Sequence, residues 1–181
     1  MTELIDALKN ENHKAQKLLY DTYLDYLFHV CYKYLKDKML CEDILSKVFL
    51  NIFQKIGKTD IQTEVVLKAW MRKICINEAL MEIRKKKWID NVVDIDNYDV
   101  VSPLMTDADL NNSDLIKMVM SLPNGYRTVF CLYVIEGYNH AEIAKQLAIG
   151  EGTSKSQLHK ARTCLQQIIK QTEGGDYESN R

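Results

Sequence analysis

Glycine and proline are scarce in this chain, seven and two in 181 residues. A sandwich or barrel of many short strands needs turn residues at frequent, regular intervals, so that class is excluded and an all-α fold is expected. Closely spaced cysteines are also lacking. The five present (Cys31, Cys41, Cys75, Cys131 and Cys164) are odd in number and include no Cys-x-x-Cys pair. Free, buried thiols in a reducing compartment are expected, rather than a disulfide framework or a structural zinc site. No apolar run approaches a membrane span, and the opening MTELIDALKNENHK is polar and acidic, unlike a signal peptide. A soluble, cytoplasmic protein without direct membrane insertion is the expectation. Phosphate-loop and metal-hydrolase signatures are missing as well, so no catalytic residue, metal or cofactor is assigned and no enzyme is expected.

What is present is charge sorted along the chain. The formal net charge is only −1, yet Lys68 to Trp88 holds seven Lys/Arg against two Glu. Ile89 to Ile116 then holds seven Asp and neither Lys nor Arg, and Thr153 to Lys170 holds Lys155, Lys160, Arg162 and Lys170 without an acid. Two basic blocks around an acidic stretch point to two contacts with a polyanion; solvated helix faces are the plainer alternative.

Apolar spacing organises the rest. A short helix is expected at Glu3 to Lys9, and a long one from about Lys14 to Leu35, with Leu19, Tyr23, Tyr26, Val30 and Tyr34 as its buried stripe. LCEDILSKVFLNIFQKI follows with Leu40, Ile44, Val48, Ile52 and Ile56 every fourth residue, and Gly57 sits where a C-terminal cap belongs. A further helix runs from about Leu67 to Trp88. These elements make an N-terminal bundle over 1–89. Residues 90–113 lose the period and read as an acidic, extended linker. A C-terminal helical domain spans 114–170, interrupted at Leu122-Pro123 and at Ile149-Gly150-Glu151-Gly152, and 171–181 reads as a disordered tail.

The C-terminal interruption marks a helix-turn-helix. Asn139 and Glu142 have capping-box spacing, the helix continues through Ile143, Ala144 and Leu147, and the next starts near Glu151 with Leu158, Ala161 and Leu165 buried. The glycines are expected to permit the sharp turn and start the second helix. Thr153, Lys155, Ser156, His159 and Lys160 then form the leading, exposed end of that helix. Amines reach phosphates and guanine edges, hydroxyls bond to either, and a helix N-terminus attracts phosphate. Ala148 occupies a turn position that usually carries glycine, and Ser154 one that is usually aliphatic and buried.

LPNGYRTVFCLYVIEGYNHAEIAKQLAIGEGTSKSQLHKARTCL resembles the promoter-reading C-terminal domain of extracytoplasmic-function sigma factors of bacterial RNA polymerase. LYDTYLDYLFHVCYKYL, CEDILSKVFLNIF and AWMRKICINEALMEIRKKK resemble the N-terminal domain of that family, in the right order. The resemblance implies that the helix around Asp43, with Ile44, Lys47, Phe49 and Leu50, docks on core RNA polymerase. Ser46-Lys47 departs from the family's usual Gln-Glu. It implies further that the helix carrying Lys73, Asn77, Arg84, Lys85 and Trp88 melts and holds the −10 promoter element; Glu82 replaces a more usual Asp. The Thr153–Lys160 end would read the −35 element. The acidic linker would thread through channels otherwise used by RNA, and a cognate anti-sigma factor is a further implied partner. Two other readings of the same residues stay open. One is a conventional dimeric helix-turn-helix regulator of palindromic DNA, and the other a helical adaptor that binds no DNA.

Overall fold

The computed structural model describes residues 2–90 and 113–175, so residues 91–112 of the expected linker and 176–181 of the expected tail lie outside the description. Among the described residues every regular element is a helix, and no helix is long and apolar enough to cross a membrane. The chain divides into two compact units that part after Asp90.

The first unit contains α1 (Thr2–Lys9), α2 (His13–Leu35), α3 (Lys38–Ile56) and α4 (Glu64–Asp90). With so little glycine, the chain turns between helices on ordinary residues held left-handed: Glu11 at φ 55° before α2 and Lys36 at φ 54° after it. Asn12 and Asp37 then cap the following helices, accepting from Lys14 and Ala15 and from Leu40 respectively. Gly57 does follow α3, but at φ −63°, so its position is a helix end that does not draw on glycine's conformational freedom.

α2 packs against both α3 and α4, which widens its buried stripe. Leu19, Tyr23, Val30 and Tyr34 are buried as expected, whereas Tyr26 is half-buried and Leu27 takes the deep position. Tyr26 instead works at the rim, accepting a hydrogen bond from Arg72 at 3.3 Å and lying 4.4 Å beneath the Lys68 ammonium. On α3, Ile44, Val48, Ile52 and Ile56 are buried, Cys41, Leu45 and Phe49 join them, and Leu40 is half-buried. Cys31, Cys41 and Cys75, one from each long helix, meet in this core as free thiols. Hydrogen bonding to Cys31 and burial both push the Cys41 thiol up, so it stays protonated and packs as a small apolar group. No group of three or more His, Cys, Asp or Glu among the described residues is arranged to hold a metal ion.

The second unit contains α5 (Ser113–Ser121), α6 (Asn124–Phe130) running into a π-helical turn (Cys131–Ile135), α7 (His140–Leu147) and α8 (Glu151–Gly175). Arg127, wholly buried, donates to the Leu122 carbonyl at 2.9 Å and to the Asn124 side chain at 2.8 Å, fastening the break at Pro123. The π turn, which apolar spacing does not foreshadow, is followed two residues on by Gly137, left-handed at φ 76°. α8 continues through Gly175, so residues 171–175, expected in the tail, are helical. Extending an existing helix adds a hydrogen bond for each residue fixed, without a new nucleation step.

Candidate nucleic-acid interface

The helix-turn-helix is built by α7 and α8. Asn139 caps α7 in a full capping box with Glu142. The turn differs from expectation in one respect. Its left-handed residue is Ala148 (φ 51°, ψ 51°), and neither Gly150 nor Gly152 has positive φ. A Cβ at Gly152 would meet nothing within 4 Å. The sharp reversal therefore falls on an alanine, at a cost of about 1–2 kcal/mol relative to glycine's freedom there. Gly150 does begin α8, its carbonyl accepting from the Ser154 amide at 3.0 Å.

Ile143, Ala144 and Leu147 of α7 and Leu158, Ala161 and Leu165 of α8 are buried, so α8 lies with its opposite face in solvent. Thr153, Lys155, Ser156, His159 and Lys160 are all exposed on that face. Lys155 lies 3.8 Å from Glu151, Ser156 donates back to the Thr153 carbonyl at 3.0 Å, and Lys160 reaches within 5.8 Å of the Tyr126 ring. Tyr126, thirty-four residues upstream, carries no spacing signal that would tie it to α8. Ser154, between these exposed residues, is completely buried, and its hydroxyl shares a 2.9 Å hydrogen bond with Nδ1 of His140 at the start of α7.

On α4, Leu67, Met71, Cys75, Ile76, Ala79 and Leu80 face the core, and Lys73, Asn77, Met81, Arg84 and Lys85 face solvent. Lys85 pairs with Glu82 at 3.4 Å, and Trp88 falls within the same helix. The exposed side of α4 thus presents amide, cation and thioether groups together.

α3 divides the five residues expected to dock. Asp43, Lys47 and Leu50 are exposed, Leu50 at 60%. Ile44 and Phe49 are buried, at 2% and 3% exposure, and Phe49 packs its ring 4.6 Å from Tyr20 and 6.0 Å from Phe53. Those two residues hold the helix in place from within. Apolar residues four apart on α3 face its partners α2 and α4, so helical spacing alone separates them from Leu50.

Residues 19–89 match the sigma-70 region 2 family and residues 113–165 match sigma-70 region 4, together covering most of the chain in the order those regions take. The chain belongs to the sigma-70 family. It is an RNA polymerase sigma factor of the extracytoplasmic-function type. Among its relatives is the ECF RNA polymerase sigma factor SigW of Bacillus subtilis, 26% identical over 179 residues, spanning 92% of this chain and 95% of SigW. SigM of the same organism is 24% identical over 157 residues, 83% of this chain and 92% of SigM. The structure of the sigma factor RpoE with the anti-sigma factor NepR from Bartonella quintana is similar in fold, with a TM-score of 0.51 at 22% identity, covering 85% of this sigma factor and 96% of RpoE. α2 to α4 of this sigma factor thus form region 2, and α5 to α8 form region 4.

Proposed function

We propose that this sigma factor recruits core RNA polymerase through the outward face of α3, with Asp43, Lys47 and Leu50 in contact and Ile44 and Phe49 supporting them. The exposed side of α4, with Lys73, Asn77, Arg84 and Lys85, melts and holds the −10 element together with Trp88 of the same helix. The leading end of α8, with Thr153, Lys155, Ser156, His159 and Lys160, reads the −35 element. Binding of unstacked bases and backbone drives the opening, with no nucleotide cofactor and no catalysis by this chain. The working division is a bundle over 1–89, an acidic linker over 90–113 and a reading domain over 114–170, the last helix extending to Gly175. Acting at promoters, the protein works in the cytoplasm, where a cognate anti-sigma factor holds it in reserve. The complex of RpoE with NepR supports that last partner by analogy.

One observation carries the DNA-reading part: all five side chains at the head of α8 face solvent, away from the apolar stripe of a helix that packs against α6 and α7. The whole reading is tested by mixing the purified chain with core bacterial RNA polymerase and following size-exclusion chromatography. Co-elution that Asp43→Arg abolishes is expected. No co-elution, together with a dimer that shifts palindromic duplex, would replace it with a conventional regulator.

A further inference from the structure

The unusual residue in the reading domain is Ser154. Its side chain is completely buried although it carries a hydroxyl, and it lies directly between Thr153 and Lys155 of the proposed reading face. A buried hydroxyl in place of a hydrocarbon forfeits apolar packing and needs a partner. The partner is Nδ1 of His140, at 2.9 Å. The His140 ring in turn stacks on Tyr133 of the π turn, with ring centroids 4.7 Å apart and planes 27° from parallel. The Tyr133 ring also lies 5.9 Å from the Arg162 guanidinium. Ser154 and Arg162 both belong to α8. One aromatic pair, contributed by the π turn and the start of α7, therefore grips the reading helix at two points eight residues apart. Lys155, Ser156, His159 and Lys160 all fall between those points.

We propose that His140 and Tyr133 are positioning residues for promoter reading: through Ser154 and Arg162 they set the rotation and depth at which α8 presents its side chains to DNA. A hydrogen bond has a direction that an aliphatic contact lacks, so the Ser154–His140 pair fixes the helix about its own axis. Base-edge hydrogen bonds need that alignment, and phosphate contacts tolerate its loss. The pair thus governs discrimination between sequences rather than general attraction to DNA. This inference rests on the proposed −35 reading by α8.

The test uses holoenzyme reconstituted from the full chain and core bacterial RNA polymerase, with duplexes that the wild-type holoenzyme enriches from a random-sequence library. Affinity for the enriched duplex and for a shuffled one is measured across a salt series. Ser154→Ala and His140→Phe, the latter keeping the stack on Tyr133, should each lower the ratio of the two affinities by about 5–10-fold, the size of one lost hydrogen bond. The salt slope should stay at the wild-type value, because no phosphate contact is removed. Ser154→Val combined with His140→Phe, which replaces the polar contact with an apolar one, should return the ratio to within about twofold of wild type, a coupling that only interacting residues show. Single variants with unchanged ratios would overturn the proposal, as would a double variant no better than the singles. A salt slope reduced by about one in His140→Phe would also overturn it, making His140 a direct phosphate contact. If the wild-type holoenzyme forms but enriches no sequence, the −35 reading itself fails and this inference with it.

Discussion

Tyr23 of α2 donates a 2.9 Å hydrogen bond from its phenol to Glu64, the first residue of α4, and so ties together two helices that begin far apart in the chain. Burial, then the hydrogen bond and the charge of Glu64, push the phenol's pKa up to about 12. The folded-state value lies above the ordinary value of 10, so the stabilisation is complete below pH 10 and is lost as the pH rises from about 10 to 12. Allowing for the exposed carboxylate, about 1–2 kcal/mol is at stake. Urea unfolding from pH 8 to 11.5 should show wild type losing more stability than Tyr23→Phe above pH 10. Parallel curves would show that the pair contributes nothing in this range.

Ala148 and Gly152 each stand in the other's natural place. Ala148 is left-handed, which suits glycine, and Gly152 lies within the first turn of α8 with open space around it, which suits alanine. Ala148→Gly and Gly152→Ala should each stabilise the reading domain by roughly 0.5–1 kcal/mol. A methyl at Gly152 also stands at the helix end where a phosphate would approach, so that variant should gain thermal stability and lose DNA affinity. Ala148→Gly should gain stability with affinity unchanged. Melting temperature and duplex affinity measured on both variants separate the two effects.

How much of this was legible in the sequence depends on the range over which each feature acts. Helices, the capping box at Asn139 and Glu142, and the solvent-facing rows Lys73-Asn77-Arg84 and Lys155-His159 follow from spacing within one element, and all are in the structure. The helix-turn-helix pattern points to Ala148 as a position that usually carries glycine, and the structure puts the left-handed reversal there rather than at the glycines beside it. The π turn, the stack of His140 on Tyr133 and the reach of Lys160 to Tyr126 depend on where separate elements lie, which no local period records. On α3 the resemblance groups Ile44 and Phe49 with Leu50, whereas helical spacing puts Ile44 in the buried stripe, and of the three only Leu50 is exposed.

That division on α3 has a measurable consequence. Asp43→Arg and Leu50→Ala change exposed side chains and should leave stability within about 0.5 kcal/mol of wild type while weakening co-elution with core polymerase. Ile44→Ala and Phe49→Ala remove buried side chains and should each destabilise the bundle by about 2–5 kcal/mol. Any loss of polymerase binding in those two should track the unfolded fraction and be recovered on cooling. If Phe49→Ala lost binding while melting like wild type, Phe49 would be a contact that turns outward on docking.

Lys160 and Asn77 lie on separate units and are proposed to act at separate steps, so their variants should fail differently. Lys160 is exposed on the proposed reading face of α8, where an ammonium can meet phosphate or a guanine edge. Lys160→Ala should weaken binding to −35 duplex and reduce the salt slope by about one counterion's worth. Asn77 is exposed on α4, where an amide can pair with the edge of an unstacked base but offers no charge to a closed duplex. Asn77→Ala should therefore keep duplex affinity and salt slope, and lose open-complex formation as followed by permanganate reactivity of unpaired thymines. Holoenzyme footprints on duplex and on a template with a preformed −10 bubble distinguish the two directly. A preformed bubble should rescue Lys160→Ala little and Asn77→Ala only in part, because Asn77 is proposed to hold the opened base as well as to capture it. Equal loss of duplex binding in both variants would mean that α4 and α8 contact the same closed DNA, and the proposed division of labour would be wrong.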